Sequence, residues 1–576
     1  MIRLAKRYLS PYLRQTLLLL TALLASAVFN LMLPTVGKQI VNEGVANQDT
    51  AYIFRLGLQM VVFLLLALGL MLVVNRLSAQ VAMGFSRDLR HALFQHIGTL
   101  SQRELDVLST ATLISCQVND VNQVQTVLMN VLNIFLSAPL MAVGGAVMAY
   151  ITAPNLSWIL LAILPLVLIM IAAILLRVNP LFRGNQAQLD RVNGLVREVL
   201  SGMRVVRAFN NEEREKKRIN EAAEALMGTA VTSNQITVSL LPLLTLLINA
   251  ANIMTVWFGG YSMMEGLSTY GDVQTFIQYS AQIMTSLAMT SMLMVALPRA
   301  ITSAERINRI FDKTPSVEDP QHEAVPDARA SVVFDHVSFR YPGSEENVLT
   351  DISFRAEAGE TVAIIGGTGA GKSTLLHLIS RYYDATVGKV LVNGCDVRRL
   401  RQATLRSMLG IVPQKPFLFG GTIYENLCFG KRGATEQEAA HALEIAQAAD
   451  FVAEKPEGVH SYIAPAGTNV SGGQRQRLSI ARAVIRQPKI YLFDDSFSAL
   501  DFKTDAALRG ALAKETRDAV TVIVAQRVGT VMRADQIIVL DRGRAVGIGR
   551  HEELLKTCPV YREIALSQLS ESEVGA

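Results

Sequence analysis

The chain has 576 residues, which is more than one compact domain usually holds. Half of the residues are hydrophobic and only 18% are charged, and the mean hydropathy is +0.30. This composition excludes a wholly water-soluble protein, so membrane spans are expected. The net charge of +5 is small for this length and gives no reason to expect a nucleic-acid groove.

The first apolar stretch runs without a charge from Leu17 to Gly37. Its basic start and the Ala25-Ser26-Ala27 motif resemble a secretory signal with its cleavage site. The uncharged run is longer than a signal core and suits a complete membrane span better. We therefore predict a first span that is retained in the protein.

Four more uncharged stretches follow in the first half of the chain. A bilayer core of about 30 Å needs about 20 helical residues, so the longest stretch must form two spans that fold back near Pro154. The sequence therefore predicts an all-α transmembrane domain of six helices over residues 1–310. The four stretches are Leu56–Val74, Val121–Leu176, Ala225–Met264 and Val273–Pro298.

The connections between the spans differ in positive charge. Residues 75–120 and 177–224 are rich in Arg and Lys, whereas residues 153–156 and 259–272 contain neither. Because positively charged connections remain in the cytoplasm, both chain termini are predicted to be cytoplasmic. The cytoplasmic connections are long and amphipathic, so we expect helices that continue well beyond the bilayer.

The predicted spans contain amides and methionines but no Asp, Glu, Lys or Arg, which argues against a proton relay. Two interpretations of the amides stay open, namely hydrogen bonding between helices and contact with cargo. The methionines of the last span likewise fit either packing or a cavity for varied apolar cargo. These residues are Asn30, Asn130, Asn133, Asn249, Asn252, Gln278, Gln282, Met284, Met289, Met292 and Met294.

A polar stretch punctuated by Pro315, Pro320 and Pro326 predicts a linker over residues 311–330. A cytosolic α/β domain is predicted over residues 331–576, beginning with two short strands at 332–334 and 337–339. The fold class is therefore a membrane all-α domain followed by a cytosolic α/β domain.

The second half contains a complete G-x-x-x-x-G-K-[ST] motif between an apolar strand, Val362–Ile365, and a helix that begins at Lys372. Its glycines let backbone N–H groups wrap a phosphate at a helix N-terminus. Lys372 is predicted to reach the β- and γ-phosphates, and Ser373 to ligate Mg²⁺. The predicted nucleotide-binding residues of this loop are Gly366, Gly367, Thr368, Gly369, Ala370, Gly371, Lys372, Ser373 and Thr374.

Five further features accompany the glycine loop. Ile490–Asp494 is an apolar strand that ends in a carboxylate, placed where it could hold the magnesium shell. Val470–Gln474 resembles the signature sequence of the ABC ATPases. Gln414, Ser498–Asp501 and Tyr341 resemble their Q-loop, their D-loop and the aromatic residue that stacks on adenine. With six preceding spans on the same chain, the whole sequence resembles a half-transporter of the ABC exporter family with the type IV architecture.

The resemblance implies a P-loop ABC ATPase domain and a partner chain. In this family two chains pair, and ATP is held between the glycine loop of one chain and the signature of the other. Short coupling helices are implied near residues 87–110 and 197–214. The residues implied to serve the partner's site are Ser471, Gly472, Gly473 and Gln474, with Ser498 and Asp501 in the D-loop. The residues implied to hold Mg²⁺ are Ser373, Gln414 and, through water, Asp494.

Two positions depart from the family pattern. The residue after Asp494 is normally a glutamate that polarises the attacking water, and here it is Asp495. Its carboxylate is withdrawn by roughly 1 Å, and such a misplacement can cost on the order of 100-fold in rate. The switch histidine is replaced by Gln526, whose amide cannot become a cation as charge develops. The segment Ala464–Thr468 also lacks the glutamate that usually precedes the signature.

These departures resemble the degenerate-site subunit of heterodimeric exporters, so a different half-transporter is predicted as the partner. The predicted function is ATP-driven export of apolar or amphipathic compounds, such as drugs, lipids or peptides, across the inner (cytoplasmic) membrane. Two alternatives stay open: a fully active homodimeric exporter, and a nucleotide-sensing subunit that gates an associated protein.

Overall fold

The computed structural model describes residues 1–568, apart from the side chains of residues 175, 179, 183 and 291–296. It divides into two compact units, the first formed by Met1–Gly98 and Thr110–Lys313 and the second by Thr99–Ser109 and Thr314–Ala576. The helices of the first unit are α1 (Ile2–Tyr8), α2 (Leu13–Gln39), α3 (Thr50–Thr99), α5 (Thr110–Ser115), α6 (Val121–Asn130), α7 (Ser137–Thr152), α8 (Ser157–Ser201), α9 (Met203–Ala208), α10 (Glu212–Val238), α11 (Leu240–Met264) and α12 (Tyr270–Phe311). Helix α4 (Gln102–Leu108) belongs to the second unit.

Five helical segments among the described residues are long and apolar enough to cross a membrane. The longest uncharged stretch forms two of them, and they meet at Ala153 as the sequence predicts. The sixth predicted span, Val273–Pro298, lies within α12 and includes residues whose side chains are not described. The five segments are Ser10–Val45, Thr50–Thr99, Thr110–Thr152, Pro154–Ser201 and Glu212–Met264.

The interior of the membrane unit is organised around α12, which packs along α7, α6, α11 and α2. Tyr279 of α12 is fully buried and donates a hydrogen bond to the carbonyl oxygen of Leu31 at 2.7 Å. Its hydroxyl also lies 2.8 Å from that of Thr35. Among the described residues, three helical stretches of this unit continue as π-helix, at Ile40–Val45, Cys116–Asp120 and Val131–Phe135.

The second unit carries three sheets and the remaining helices. Its strands are β1 (Ser331–Phe339), β2 (Leu349–Glu357), β3 (Thr361–Gly366), β4 (Val387–Val392), β5 (Cys395–Asp396), β6 (Leu409–Val412), β7 (Gly421–Thr422), β8 (Tyr462–Ile463), β9 (Ile490–Asp494), β10 (Val520–Val524), β11 (Gln536–Asp541) and β12 (Arg544–Gly549). Its helices after α4 are α13 (Lys372–Ile379), α14 (Gln402–Ser407), α15 (Ile423–Cys428), α16 (Glu436–Ile445), α17 (Ala449–Ala453), α18 (Gly472–Val484), α19 (Phe502–Glu515), α20 (Val528–Val531), α21 (His551–Thr557) and α22 (Pro559–Leu566).

The central sheet has six strands in the order β12-β11-β3-β10-β9-β6, and all are parallel except β12. Strands β3, β9 and β10 consist mainly of apolar residues that are buried almost throughout, as expected for parallel strands covered on both faces. The carboxyl ends of these three neighbouring strands therefore meet at one edge, where α/β sheets bind ligands.

A four-stranded antiparallel sheet has the order β2-β1-β4-β5. The two short strands predicted at 332–334 and 337–339 form the single strand β1, which has register shifts after Phe334. His336 has a φ of 48°, so the chain kinks within the strand without ending it. Both segments are therefore strand, as predicted, but they belong to one continuous strand with an irregularity between them.

Helix α4 lies in the first range implied for a coupling helix, and α9 lies in the second. Helix α4 is held to the rest of the second unit by side-chain hydrogen bonds. Asp106 accepts a hydrogen bond from the Tyr383 hydroxyl, and Glu104 accepts one from the Ser316 amide at 3.3 Å. Ser101, which precedes α4, accepts another from the Val317 amide at 3.0 Å.

Candidate functional site: a nucleotide pocket

The glycine loop connects the end of β3 to the start of α13, as the sequence predicts. Gly371 caps α13 with a φ of 95°, a left-handed conformation that favours glycine. A Cβ atom on Gly366 would lie 2.2 Å from the Leu540 carbonyl oxygen on the neighbouring strand β11. These two positions therefore require glycine for backbone conformation and for strand packing.

The Lys372 side chain folds back onto the loop from the first residue of α13. Its Nζ donates hydrogen bonds to the carbonyl oxygens of Gly366 and Gly367, each at 2.8 Å. Burial lowers the pKa of the Lys372 ammonium, although the carboxylates of Asp495 and Asp494 oppose that shift. The Lys372 ammonium therefore contacts two backbone carbonyl oxygens of the loop, and a phosphate bound by the loop would add an anionic partner.

Two of the three groups predicted to hold Mg²⁺ contact each other next to the loop. The Ser373 hydroxyl donates a hydrogen bond of 2.8 Å to Oδ1 of Asp494, at the end of β9. Burial raises the pKa of Asp494, because the charged carboxylate loses hydration. A hydroxyl beside a carboxylate that lacks a full countercharge fits a hard divalent cation such as Mg²⁺.

The two residues that depart from the family pattern contact each other. Gln526, two residues beyond β10, donates a hydrogen bond from Nε2 to Oδ2 of Asp495 at 2.9 Å. Gln414 approaches the same oxygen with its Nε2 at 3.5 Å. The backbone also fixes Asp495, because its N–H donates to the Val524 carbonyl oxygen at 2.9 Å. One oxygen of the Asp495 carboxylate is therefore committed to side-chain amides.

Tyr341 also lines the pocket. Its hydroxyl is 3.2 Å from Oγ1 of Thr374, and its ring packs edge-on against Tyr383 with centroids 5.2 Å apart. Tyr383 is the residue that donates to Asp106 of α4. The side chain predicted to stack on adenine therefore contacts Tyr383, which in turn is bonded to α4.

The pocket has a volume of about 360 Å³, and it brings most predicted binding residues together. Gly366, Gly367 and Ala370 belong to the loop but do not line the pocket. Val348 and Val524 line it although sequence reasoning did not single them out, because each is an ordinary apolar residue next to a strand end or within one. The predicted residues in the lining are Tyr341, Thr368, Gly369, Gly371, Lys372, Ser373, Thr374, Gln414, Asp494, Asp495 and Gln526.

The signature residues do not line this pocket among the described residues. Ser471 caps α18: its hydroxyl accepts a hydrogen bond from the Gln474 backbone N–H at 3.2 Å, and Oε1 of Gln474 accepts one from the Ser471 backbone N–H at 3.0 Å. In the D-loop, Ser498 donates to the Asp495 carbonyl oxygen at 2.9 Å, and Asp501 caps α19 through the Thr504 amide at 2.9 Å.

Comparison with known proteins identifies the family. Residues 16–287 match the family described as ABC transporter transmembrane region. Residues 349–498 match the family described as ABC transporter. An uncharacterized ABC transporter ATP-binding protein of Mycobacterium tuberculosis is 41% identical to this chain. The match covers 100% of this chain and 99% of the relative. The structure of a bacterial Atm1-family ABC exporter with ATP bound matches 99% of both chains with a TM-score of 0.81 at 27% identity. The chain belongs to the ABC exporter family.

A further relative of this exporter is a putative multidrug export ATP-binding/permease protein of Bacillus subtilis. It is 31% identical, and the match covers 97% of the exporter and 98% of the relative. The predicted fold class is confirmed, with an N-terminal helical transmembrane domain followed by an α/β ATPase domain. The exporter is accordingly an ATP-hydrolysing transporter of a membrane.

The membrane unit of the exporter contains a second concave site. It is a cavity of about 590 Å³ whose lining includes Asn30, Asn130, Asn133, Gln282 and Met289. The other amides predicted from the spans, Asn249, Asn252 and Gln278, are not part of its lining. Met284 is buried in the helix packing, and the side chains of Met292 and Met294 lie outside the described residues.

Proposed function

We propose that this exporter chain is one half of a heterodimer that drives apolar or amphipathic compounds out of the cytoplasm. Its own pocket binds ATP and Mg²⁺ but hydrolyses ATP slowly, and its signature completes the catalytic site on a different half-transporter. Both termini are cytoplasmic, and the complex lies in the inner membrane. Residues 1–310, 311–330 and 331–576 act as the transmembrane domain, the linker and the ATPase domain.

The observation that carries the proposal is the hydrogen bond from Gln526 to Asp495. An attacking water has to be polarised by a free carboxylate oxygen of the general base. Here that carboxylate is one methylene shorter than glutamate, and Gln526 holds one of its oxygens at 2.9 Å. Both altered positions therefore reduce the same proton-accepting function, and they do so through direct contact.

The remaining parts of the pocket support tight nucleotide binding. Lys372 and the loop N–H groups neutralise phosphate charge, and Tyr341 offers a ring to the base. Ser373, Gln414 and Asp494 would hold Mg²⁺, which would neutralise charge on the β- and γ-phosphates.

The signature supports catalysis in the partner. Ser471 and Gln474 are held by a capping box at the N-terminus of α18, so the backbone N–H groups of this helix end are oriented for an anion. A Cβ on Gly473 would meet nothing closer than 3.4 Å within this chain, so the open space at this glycine is available to a phosphate from outside.

Exposed aromatic side chains support the need for a partner chain. Phe417, Phe419 and Phe429 of the ATPase unit are 51%, 43% and 60% exposed. Phe419 and Phe429 stack with ring centroids 4.2 Å apart, forming a flat apolar patch. Such a patch on a cytosolic domain is typical of a protein-interaction surface.

The pairing is tested by expressing this chain alone and with candidate half-transporters, and by measuring the mass of each complex in detergent. The proposal predicts a stable ATPase-active complex only with a chain that has Glu and His at the two altered positions. A homodimer of this chain that hydrolyses ATP at the rate of an ordinary exporter would refute it.

Pumping and gating are separated by flux into vesicles that contain the heterodimer. The proposal predicts that flux stops when hydrolysis by the partner is blocked. Flux that persists with a non-hydrolysable nucleotide would instead establish the gating function.

A further inference from the structure

The segment that carries Gln526 is held by a side chain from outside the nucleotide pocket. Gln526 stands between β10 and α20, and its own side chain donates to Oδ2 of Asp495 at 2.9 Å. Nε2 of Gln568 donates to the Gln526 carbonyl oxygen at 2.9 Å, and Oε1 of Gln568 accepts from the Val528 N–H at 2.8 Å. One side-chain amide therefore bridges the backbone on both sides of Arg527. We call this pair of hydrogen bonds the Gln568 clamp.

Gln568 is itself fixed by the end of α22. It follows that helix by two residues, and its N–H donates to the Ala565 carbonyl oxygen at 3.1 Å. Ala565 is fully buried, in the same hydrophobic cluster as Val528 and Val531 of α20. Because α20 and α22 share this cluster, the Gln568 amide faces the Gln526 segment from a fixed position.

The clamp requires an amide. Its two hydrogen bonds need a donor and an acceptor in one side-chain group, which a carboxylate or an ammonium cannot supply. Val528 is the first residue of α20, and the first N–H groups of a helix have no partner within it. Gln568 is exposed, so hydrogen bonding and not packing specifies its side chain.

The far end of the same segment has a separate anchor. Arg509 of α19 donates to the carbonyl oxygens of Gly529 at 3.1 Å and Thr530 at 3.4 Å. Arg509 is also paired with Asp505 at 2.9 Å. Loss of the Gln568 amide should therefore loosen the backbone next to Gln526 while α20 stays in place.

We propose that Gln568 is a positioning residue of the nucleotide pocket, which holds the backbone around Gln526 so that the Gln526 side chain stays on Asp495. Gln568 does not line the pocket, so it acts through Gln526. This inference rests on the slow hydrolysis proposed above and names what maintains it. Release of the clamp frees an oxygen of Asp495 to accept a proton from water.

The isosteric variant Gln568→Glu tests the proposal in the purified full-length heterodimer whose partner site is disabled. Its carboxylate can accept from Val528 but cannot donate to the Gln526 carbonyl oxygen. We expect single-turnover hydrolysis at this chain's site to rise about fivefold, the effect of one hydrogen bond. Ser567→Ala is the matched control, because it removes the 2.8 Å bond to Ile564 in the same turn and should leave the rate unchanged. An unchanged or lower rate in Gln568→Glu would overturn the proposal.

Dependence on the Gln526 side chain separates positioning from a general loosening of the structure. Gln526→Ala removes the group that Gln568 directs, so Gln568→Glu in that background should change the rate by less than about twofold. A fivefold rise in that background would overturn the proposal.

Hydrogen exchange tests the clamp without any turnover. Gln568→Leu loses both hydrogen bonds and adds no charge, so the Val528 N–H should exchange with deuterium about tenfold faster than in the unmodified chain. Exchange at the same rate would overturn the proposal.

Failure of the clamp differs from failure of the proposed slow hydrolysis. Hydrolysis by the unmodified chain at the rate of an ordinary exporter, together with faster Val528 exchange in Gln568→Leu, would refute slow hydrolysis and retain the clamp. Slow hydrolysis with unchanged exchange and no rise in Gln568→Glu would retain the proposed function and refute the clamp.

Discussion

The nucleotide pocket contains two groups of side chains that differ in chemistry. We call Lys372, Ser373 and Asp494 the phosphate side, and Asp495 and Gln526 the water side. On the phosphate side, Lys372, Ser373 and Asp494 carry groups that we propose to bind phosphate and Mg²⁺. On the water side, Asp495 and Gln526 bond to each other at 2.9 Å. Binding and hydrolysis use different atoms of one pocket, so a chain can keep the first function while the second declines.

A second difference separates the pocket from the signature. In the proposed function the pocket residues serve the nucleotide of this chain, whereas Ser471 and Gly473, which stand at the start of α18 outside the pocket lining, serve the partner's site. Substitutions in these two regions should therefore affect different composite sites. The following predictions start with the largest expected effect.

Gly473→Asp is expected to lower the ATPase rate of the heterodimer by about 100-fold or more. The new carboxylate repels the γ-phosphate held by the partner and displaces backbone donors whose removal costs on the order of 10²–10³ in rate. The measurement is steady-state ATPase and transport in vesicles at saturating ATP, with equal amounts of complex.

The matched control is Gly510→Asp, an exposed glycine of α19 where an added Cβ meets nothing within 4 Å. This variant should keep near-normal activity. Because Gly473 also has room for a Cβ within the chain, misfolding does not account for the expected loss. Normal ATPase in Gly473→Asp would show that the signature does not serve a phosphate.

Asp495→Glu combined with Gln526→His is expected to raise hydrolysis at this chain's site by about 10- to 100-fold. Glutamate restores roughly 1 Å of reach, and histidine adds a group that can become cationic. The two groups act on one transition state. The rate increase of the double variant should therefore exceed the product of the rate increases of the two single variants. Single-turnover hydrolysis in a complex whose partner site is disabled measures the gain.

Tyr341→Ala is expected to weaken ATP binding at this site by about tenfold, because stacking of a base on an aromatic ring contributes about 1–3 kcal/mol. Tyr341→Phe keeps the ring and should bind ATP nearly normally, although it loses the 3.2 Å contact with Thr374. Equilibrium binding of a fluorescent ATP analogue distinguishes the two variants. Equal weakening by both would assign the effect to the hydroxyl.

Lys372→Ala is expected to have the smallest effect on total ATPase, a decrease of less than about threefold. The lysine serves a site where hydrolysis is already slow, so the partner's site continues to turn over. ATP binding at this chain's own pocket should nevertheless weaken markedly. A loss of total ATPase as large as that of Gly473→Asp would mean that the two sites are equivalent.

Local sequence patterns predicted much of this architecture because the determining interactions are local. The loop from β3 to α13 follows from glycine spacing and an apolar run, and the chain reversal at Ala153 follows from span length. By contrast, the irregularity at His336 within β1 could not be predicted, because pairing with β2 and β4 keeps the strand continuous.

The contacts that decide function were beyond sequence reasoning because they join distant residues. The hydrogen bond between Gln526 and Asp495 spans 31 positions, and the one between Tyr383 and Asp106 spans 277. Asp495 and Gln526 could be interpreted from the sequence only because each stands at a motif position, and no motif includes Tyr383 or Asp106.

The central claim, that this chain holds ATP without hydrolysing it at an ordinary rate, is tested most directly by the fate of bound nucleotide. The heterodimer is loaded with radiolabelled 8-azido-ATP, allowed to turn over, washed and cross-linked by light. The account predicts that labelled triphosphate stays on this chain after the partner site has completed many turnovers. Conversion to diphosphate on this chain at the rate of total turnover would contradict the account.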